Sequence, residues 1–490
     1  MAKKILAQNP ADDNDDDVSL PDASGLWGIW WDAMLLLRPA FKCVQAFFWF
    51  AVLTAGLGIG TDPYGIMRVM RALRLQRRCY DSLIHNVHSE GINVPSLAAL
   101  WGRVVMPRLF GDKQVRVGGR RVLVADGIKK PKRGRKMPAV KRVHQESDNK
   151  AEYTMAHSFQ VVGALVHSVQ GVVAVPLAGR IDEGVVLCNA LKETLLTKLL
   201  TLTALVAGSD LYILVADAYY ASGVVIKGLI KNGNHLVTRM RSDAVAHALP
   251  VQEEGPRKRG RPKKYGKKIK LTSLFDNPAS ILQVASPVYG EKDIMIRYAV
   301  HDLFWKPAGC IVRFVAVKHP LRGCCVFMST DTTLDAVEII RLYGLRFKLE
   351  YSFKQAVHTI GTFSYHFWMK KMTPLKRHAG TQYLHRKSPE YRQAVARKLR
   401  AYHVFVQAGL IAHGLMQYLA ATYPKHVWNA FGPWLRTIRP GVPPSEFVTA
   451  GALRESLPYF LADSENPNIF AKFVAERRHQ DKTEIFRRAA

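Results

Sequence analysis

Acidic residues are scarce in this chain. Over 490 residues, 39 Asp and Glu stand against 70 Lys and Arg, a formal charge of +31. A deficit of that size disfavours basic partners and favours an extended polyanion, because each neutralised phosphate releases counterions. Nucleic acid is the first partner to expect and an anionic membrane surface the second. Cysteine is also sparse. The six, at positions 43, 79, 188, 310, 324 and 325, form no Cys-x-x-Cys pair and have no histidine at zinc-finger spacing. That argues against a zinc site and a disulfide framework, and for a reducing compartment. The first residues, Met-Ala-Lys-Lys followed by Asp12, Asp13, Asp15, Asp16 and Asp17, lack the apolar core of a signal peptide, so secretion is not expected. Long apolar runs are nearly absent. The exception, residues 43–60, has only Gln45 and Thr54 as polar members and is long enough to span a membrane. Arg38 and Lys42 precede it and Gly56, Gly58 and Gly60 break its end, which suits a buried helix of a helical domain better.

What is present is a globular composition, 48% hydrophobic and 22% charged, in a chain too long for one ordinary core. Residues 1–24 read as a disordered acidic tail. Residues 25–115 read as a helical DNA-binding domain, with Arg68, Arg71, Arg74, Arg77 and Arg78 as a basic helix face. From Arg120 the periodicity changes to short β-rich runs, and residues 116–245 read as the first part of an α/β core. Residues 246–332 form a strand-rich insertion with a basic arm, residues 333–375 return to the core with a helix, and residues 376–490 are a helical carboxyl-terminal region.

Three stretches carry chemistry. Two predicted strands end in the same tripeptide, Val-Ala-Asp126 and Val-Ala-Asp217. If those strands lie side by side and parallel, both carboxylates reach the edge where open α/β sheets place their sites. Either aspartate could instead simply cap the turn that follows it. On a helix at about 100° per residue, Tyr343, Arg346, Glu350 and Lys354 share one face, with Leu342, Leu345, Leu349 and Ala356 opposite. A carboxylate one turn from two cations suits joint binding of metal and phosphate, though a solvated face of i,i+4 pairs gives the same pattern. An all-oxygen donor set favours Mg²⁺, with Mn²⁺ as a substitute. Basic segments flank the site: residues 129–142 hold eight Lys or Arg, and residues 257–264 include Arg259, Arg261, Lys263 and Lys264. Arg259-Gly-Arg261-Pro262 resembles an AT-hook, although a basic loop on phosphates explains it equally well. The aromatic run from Thr362 to Trp368, followed by Lys370 and Lys371, suits base stacking beside phosphates and suits a core against a basic surface nearly as well.

Val-Ala-Asp126-Gly, Val-Ala-Asp217-Ala-Tyr219-Tyr220 and Tyr343-x2-Arg346-x3-Glu350 together resemble the DDE transposases of bacterial insertion sequences, in the branch with a Tyr-x2-Arg-x3-Glu-x6-Lys signature. Val357 stands where that signature has its lysine, and Lys354 is the nearest replacement on the same face. The resemblance covers roughly residues 120–375. It implies an α/β, ribonuclease H-like core and Asp126, Asp217 and Glu350 as catalytic metal ligands for two Mg²⁺. It also implies cleavage at the element's ends and joining of the 3′-hydroxyl to target DNA. Tyr343 and Arg346 would contact terminal phosphates, and Trp305, in the insertion, would receive a flipped base. The partners implied are double-stranded DNA, both transposon ends and target, and a second copy of the chain, in a bacterial cytoplasm at the nucleoid. The alternatives are a DNA-binding protein of the same fold without activity, for which the displaced lysine is the hint, and a membrane-associated basic protein.

Overall fold

The computed structural model describes residues 25–62, 65–145, 151–169, 171–183, 187, 193–250, 264–276, 281–376, 382–432, 441–464 and 468–479. The acidic tail and Arg259, Arg261 and Lys263 lie outside the described residues.

Six helices open the chain: α1 (Gly25–Leu35), α2 (Val44–Ile59), α3 (Gly65–Ala72), α4 (Cys79–His88), α5 (Val94–Leu100) and α6 (Met106–Phe110). The long apolar run is α2, buried on every side from residue 46 to residue 59. A helix apolar all round belongs in a core, and here it packs against later helices of the same chain. The arginine face is not wholly solvated as expected. Arg68 is 2% exposed, and its guanidinium donates to the carbonyls of Leu57, Asp62, Gly60 and Thr359. Four carbonyl acceptors compensate a cation that burial pushes down to about 10. Gly60 and Gly361, whose absent Cβ atoms would collide with or crowd Arg68, leave room for it.

A single mixed sheet follows. Its strands are β1 (Arg116–Val117), β2 (Arg120–Pro131), β3 (Lys141–His144), β4 (Tyr153–Ser168), β5 (Gly171–Ile181), β6 (Tyr212–Ala216), β7 (His235–Arg239), β8 (Val245–His247), β9 (Lys268–Lys270), β10 (Leu282–Ala285), β11 (Met295–Trp305), β12 (Cys310–His319) and β13 (Gly323–Ser329). The main path runs β3-β4-β2-β6-β7-β13-β12-β11-β8-β9, with β5 on β4. β2, β6 and β7 are parallel to one another, while β4 and β5 are antiparallel additions. Parallel neighbours need crossovers, which α7 (Leu195–Ala207) and α8 (Gly223–Lys231) provide. α7 begins where the Thr194 hydroxyl and Thr197 form a reciprocal capping box. The strand-rich segment after β7 is no separate sheet, because β13 pairs directly with β7.

The chain ends in α9 (Ala336–Leu345), α10 (Phe347–Gln355), α11 (Pro389–Thr422), α12 (Pro424–Phe431), α13 (Glu446–Ala462) and α14 (Ile469–Ala475). α11 has 34 residues and, by length and composition, could cross a membrane, yet 94% of its apolar window is buried within the fold. It packs on β5 and α2 and so joins the sheet to the amino-terminal helices. α14 returns to them as well, with Phe470 stacked on Trp31 at 5.0 Å.

Between sheet and α11 lies His157, fully buried. Its Nε2 donates to the Pro138 carbonyl at 2.9 Å, and its Nδ1 accepts from the Tyr365 hydroxyl at 2.7 Å, the pattern of a neutral imidazole. Burial, with Lys132 and His403 adding to it, pushes its pKa down to about 3. The unfolded chain takes up that proton near pH 6.5 and the folded chain only near 3, so stability falls as pH drops through this window. His157→Gln, which can keep both hydrogen bonds without titrating, should therefore lose less urea resistance than the parent between pH 7 and pH 4. Equal losses in the two proteins would show that other groups govern the acid sensitivity.

Candidate active site

Ala125 of β2 pairs with Ala216 of β6, and Ala216 pairs with Thr238 of β7. Asp126, Asp217 and Arg239 are the next residues on those three strands. They therefore stand side by side at the carboxyl end of the parallel core, with neighbouring strands about 4.8 Å apart. The sequence-level expectation that the two aspartates meet at one sheet edge rests on this register. Asp126 receives the Gly127 N–H on Oδ1 at 2.7 Å. Asp217 caps the 3-10 turn Ala218–Tyr220, its Oδ1 accepting the Tyr219 N–H at 3.1 Å, while the Thr238 hydroxyl holds its carbonyl at 2.8 Å. The capping role and a place in the site are thus compatible.

Glu350 arrives on α10. The helix foreseen over residues 343–354 is broken at Arg346, where α9 ends and α10 begins. Of its apolar side, Leu342 and Leu349 are fully enclosed and Ala356 nearly so, while Leu345 is half-buried against the core. On the other side, Arg346 donates from Nη1 to Asp126 Oδ2 and from Nη2 to Glu350 Oε1, the latter at 2.7 Å. One guanidinium therefore links residues 220 positions apart in sequence. The Arg346 guanidinium also lies 5.6 Å from the centre of the Tyr343 ring, which packs at 4.7 Å on Phe327 of β13.

The electrostatics follow from crowding. Burial pushes the Asp126 carboxyl up to about 6, against the pull of Arg346 and the Gly127 amide, and the Asp217 and Glu350 charges push it further. Tyr343 is raised chiefly by burial, opposed by Arg346 and Arg239, with Asp217 also acting on it. Tyr220 is raised by burial, then opposed by a hydrogen bond from Gln160, with Asp217 and Asp126 pushing upward. Asp126, Asp217, Glu350, Tyr343 and Arg346 thus share one electrostatic neighbourhood, to which Tyr220, Gln160 and Arg239 must be added. Tyr220 lay in view within the Asp217 motif. Gln160 of β4 and Arg239 carried no spacing signal, since only strand pairing brings them here.

Other expected residues fall elsewhere. Lys354 is exposed, and no ion pair ties it to the carboxylates among the described residues. Lys264 packs over the Tyr265 and Phe304 rings of the inserted strands, each at 5.9 Å. Trp305 does not face solvent as base capture would require. It is 5% exposed, pairs with Cys310 across the β11–β12 hairpin and belongs to the hydrophobic core that runs through the sheet and helices.

Among the described residues, no three His, Cys, Asp or Glu side chains stand close enough to hold a metal ion. The donor chemistry nonetheless suits a hard divalent cation: three carboxylates, one with its charge poorly compensated. Arg346 takes the Asp126 and Glu350 oxygens that such an ion would take, so ion and guanidinium are alternatives there. Arg346 Nε is buried without an acceptor among the described residues, an orphan donor beside the carboxylates.

Residues 71–306 match the family model described as DDE superfamily endonuclease. The matched range contains Asp126 and Asp217 and stops short of Glu350. No curated protein matches the chain. The family match supports a DDE transposase-like family, a mixed α/β nuclease fold and a nucleic-acid substrate.

Proposed function

We propose that the chain is a DNA transposase that cuts phosphodiesters at the ends of its element and joins the freed 3′-hydroxyl to target DNA. The observation that carries the reading is the placement of Asp126 and Asp217 at equivalent register positions on adjacent parallel strands, with Glu350 brought to Asp126 by Arg346. The strand order β5-β4-β2-β6-β7, with β2, β6 and β7 parallel, supports a ribonuclease H-like core. Tyr343, Arg346 and Glu350 support the branch with the Tyr-x2-Arg-x3-Glu signature, although its lysine is replaced by Val357.

Asp126, Asp217 and Glu350 would hold Mg²⁺ or Mn²⁺, which when bound polarises the scissile phosphate and lowers the pKa of the attacking water or 3′-hydroxyl. The rest falls to side chains. Arg346, freed from the two carboxylates, has a guanidinium fork and its orphan Nε to offer phosphate oxygens. Tyr343, packed on Phe327, limits where that guanidinium can swing. Arg239, exposed in the same row, supplies a second cation for the substrate's charge.

In Mg²⁺, the protein should nick the DNA that flanks its own coding segment, and Glu350→Gln or Asp126→Asn should lower the rate at least about 100-fold, a loss of several kcal/mol of transition-state stabilisation. Unchanged cleavage in both variants would overturn the assignment of these carboxylates, and no cleavage by the parent would leave a DNA-binding protein of this fold without activity. A second measurement concerns the exchange at Arg346. In EDTA, Arg346→Ala should lower the melting temperature by the equivalent of roughly 1–3 kcal/mol, since it strands crowded carboxylates. Mg²⁺ should then raise the melting temperature of the variant more than that of the parent. Equal Mg²⁺ shifts would mean that ion and guanidinium do not compete.

A further inference from the structure

Beyond Asp126, β2 runs on into a basic segment that is joined to a second one more than 200 residues later. Residues 129–136 contain Lys129, Lys130, Lys132, Arg133, Arg135 and Lys136, residues 366–376 contain Lys370, Lys371 and Lys376, and neither segment has an Asp or Glu. The Met369 N–H donates to the Lys136 carbonyl at 2.9 Å and the Leu375 N–H to the Arg135 carbonyl at 2.8 Å. Arg135 Nε returns a bond to the Leu375 carbonyl at 3.0 Å. From inside, Lys132 Nζ donates to the Phe363 and Tyr365 carbonyls at 2.7 and 2.9 Å and lies 3.7 Å from the centre of the Tyr365 ring. The two segments are therefore one surface.

That surface gathers like charge against its own repulsion. No ion pair engages Arg133, Lys136, Lys370 or Lys371 among the described residues. In the middle stands Trp368, 62% exposed, while its neighbours Phe367 and Met369 are buried. Every other described tryptophan is buried. A Cβ on Gly134 would lie 2.6 Å from Met137 Sδ and 3.1 Å from Trp368 Nε1, so the glycine fits between the methionine and the indole. Cations around an open aromatic face match the chemistry of a strand whose phosphates are neutralised while a base stacks.

We propose that this seam binds the DNA strand leaving the carboxylate site, with phosphates on Arg133, Lys370 and Lys371 and an unpaired base on Trp368. The inference rests on the proposed nuclease function and extends it to a second contact point. At about 3.3 Å per residue, the last residue of β2, Pro131, stands roughly 17 Å from Asp126, and Arg133 follows two residues later.

The test is fluorescence anisotropy of the full chain in EDTA, with a labelled blunt duplex and the same duplex carrying a single-stranded overhang. Trp368→Ala should weaken binding of the overhang probe roughly 5- to 150-fold without altering the salt dependence, and Trp368→Phe should restore most of it. The double variant Lys370→Gln/Lys371→Gln should weaken both probes and reduce the slope of log affinity against log salt by roughly 1.4–1.8. If neither substitution changes overhang binding while the parent and Asp126→Asn bind both probes alike, the seam is overturned and the nuclease reading stands. If the parent binds neither probe at low salt, the nuclease reading falls too.

Discussion

Arg346 is the interaction on which the site depends. Three carboxylates drawn to one sheet edge repel one another, and burial makes that repulsion more costly than water would. A guanidinium between Asp126 and Glu350 offsets part of that cost, because its fork reaches both at once, although burial still holds Asp126 up at about 6. The junction of α9 and α10 falls at this same arginine, whose backbone stays in the right-handed helical region. Under the proposed function, the same cation that bridges the carboxylates would be the one nearest to a phosphate if they took a metal.

The helix that carries Glu350 is held from behind by elements outside the sheet. Arg68, from the amino-terminal helices, reaches the Thr359 carbonyl in the turn that follows α10. Ser352, on the buried side of α10, meets His413 of α11 at 3.5 Å, and His413 pairs with Glu446 of α13 at 3.2 Å. These are buried polar contacts, costly to leave unmatched; two of the three end on α10 or just beyond it, and the third ties His413 to α13. The helical regions at both ends of the chain therefore serve as a mount for one carboxylate, whatever else they bind.

The alternation of apolar strands with an amphipathic helix made much of this legible from residues alone. Val-Ala-Asp126 and Val-Ala-Asp217 both read as strand ends; β6 does stop just before Asp217, whereas β2 continues past Asp126 to Pro131 along β4, so that only its parallel pairing with β6 ends there. Leu342, Leu349 and Ala356 read as a buried stripe and are buried. What stayed hidden depends on partners that local periodicity does not report. Arg68 matches the period of an exposed basic face, and only the four carbonyls around it explain why it is inside. Trp305 in a strand-rich segment gave no sign of which side of its hairpin it occupies. Gln160 and Arg239 enter the site through strand pairing, a relation between distant segments with no signature at either one.

The inserted strands continue the core sheet by hydrogen-bonding β13 to β7, and their far edge is the short ladder β8-β9. Residues can be gained or lost at that outer edge without breaking any bond that sets the register of Asp126 against Asp217. The segment can therefore change length and surface at one end of the sheet without shifting the carboxylates at the other.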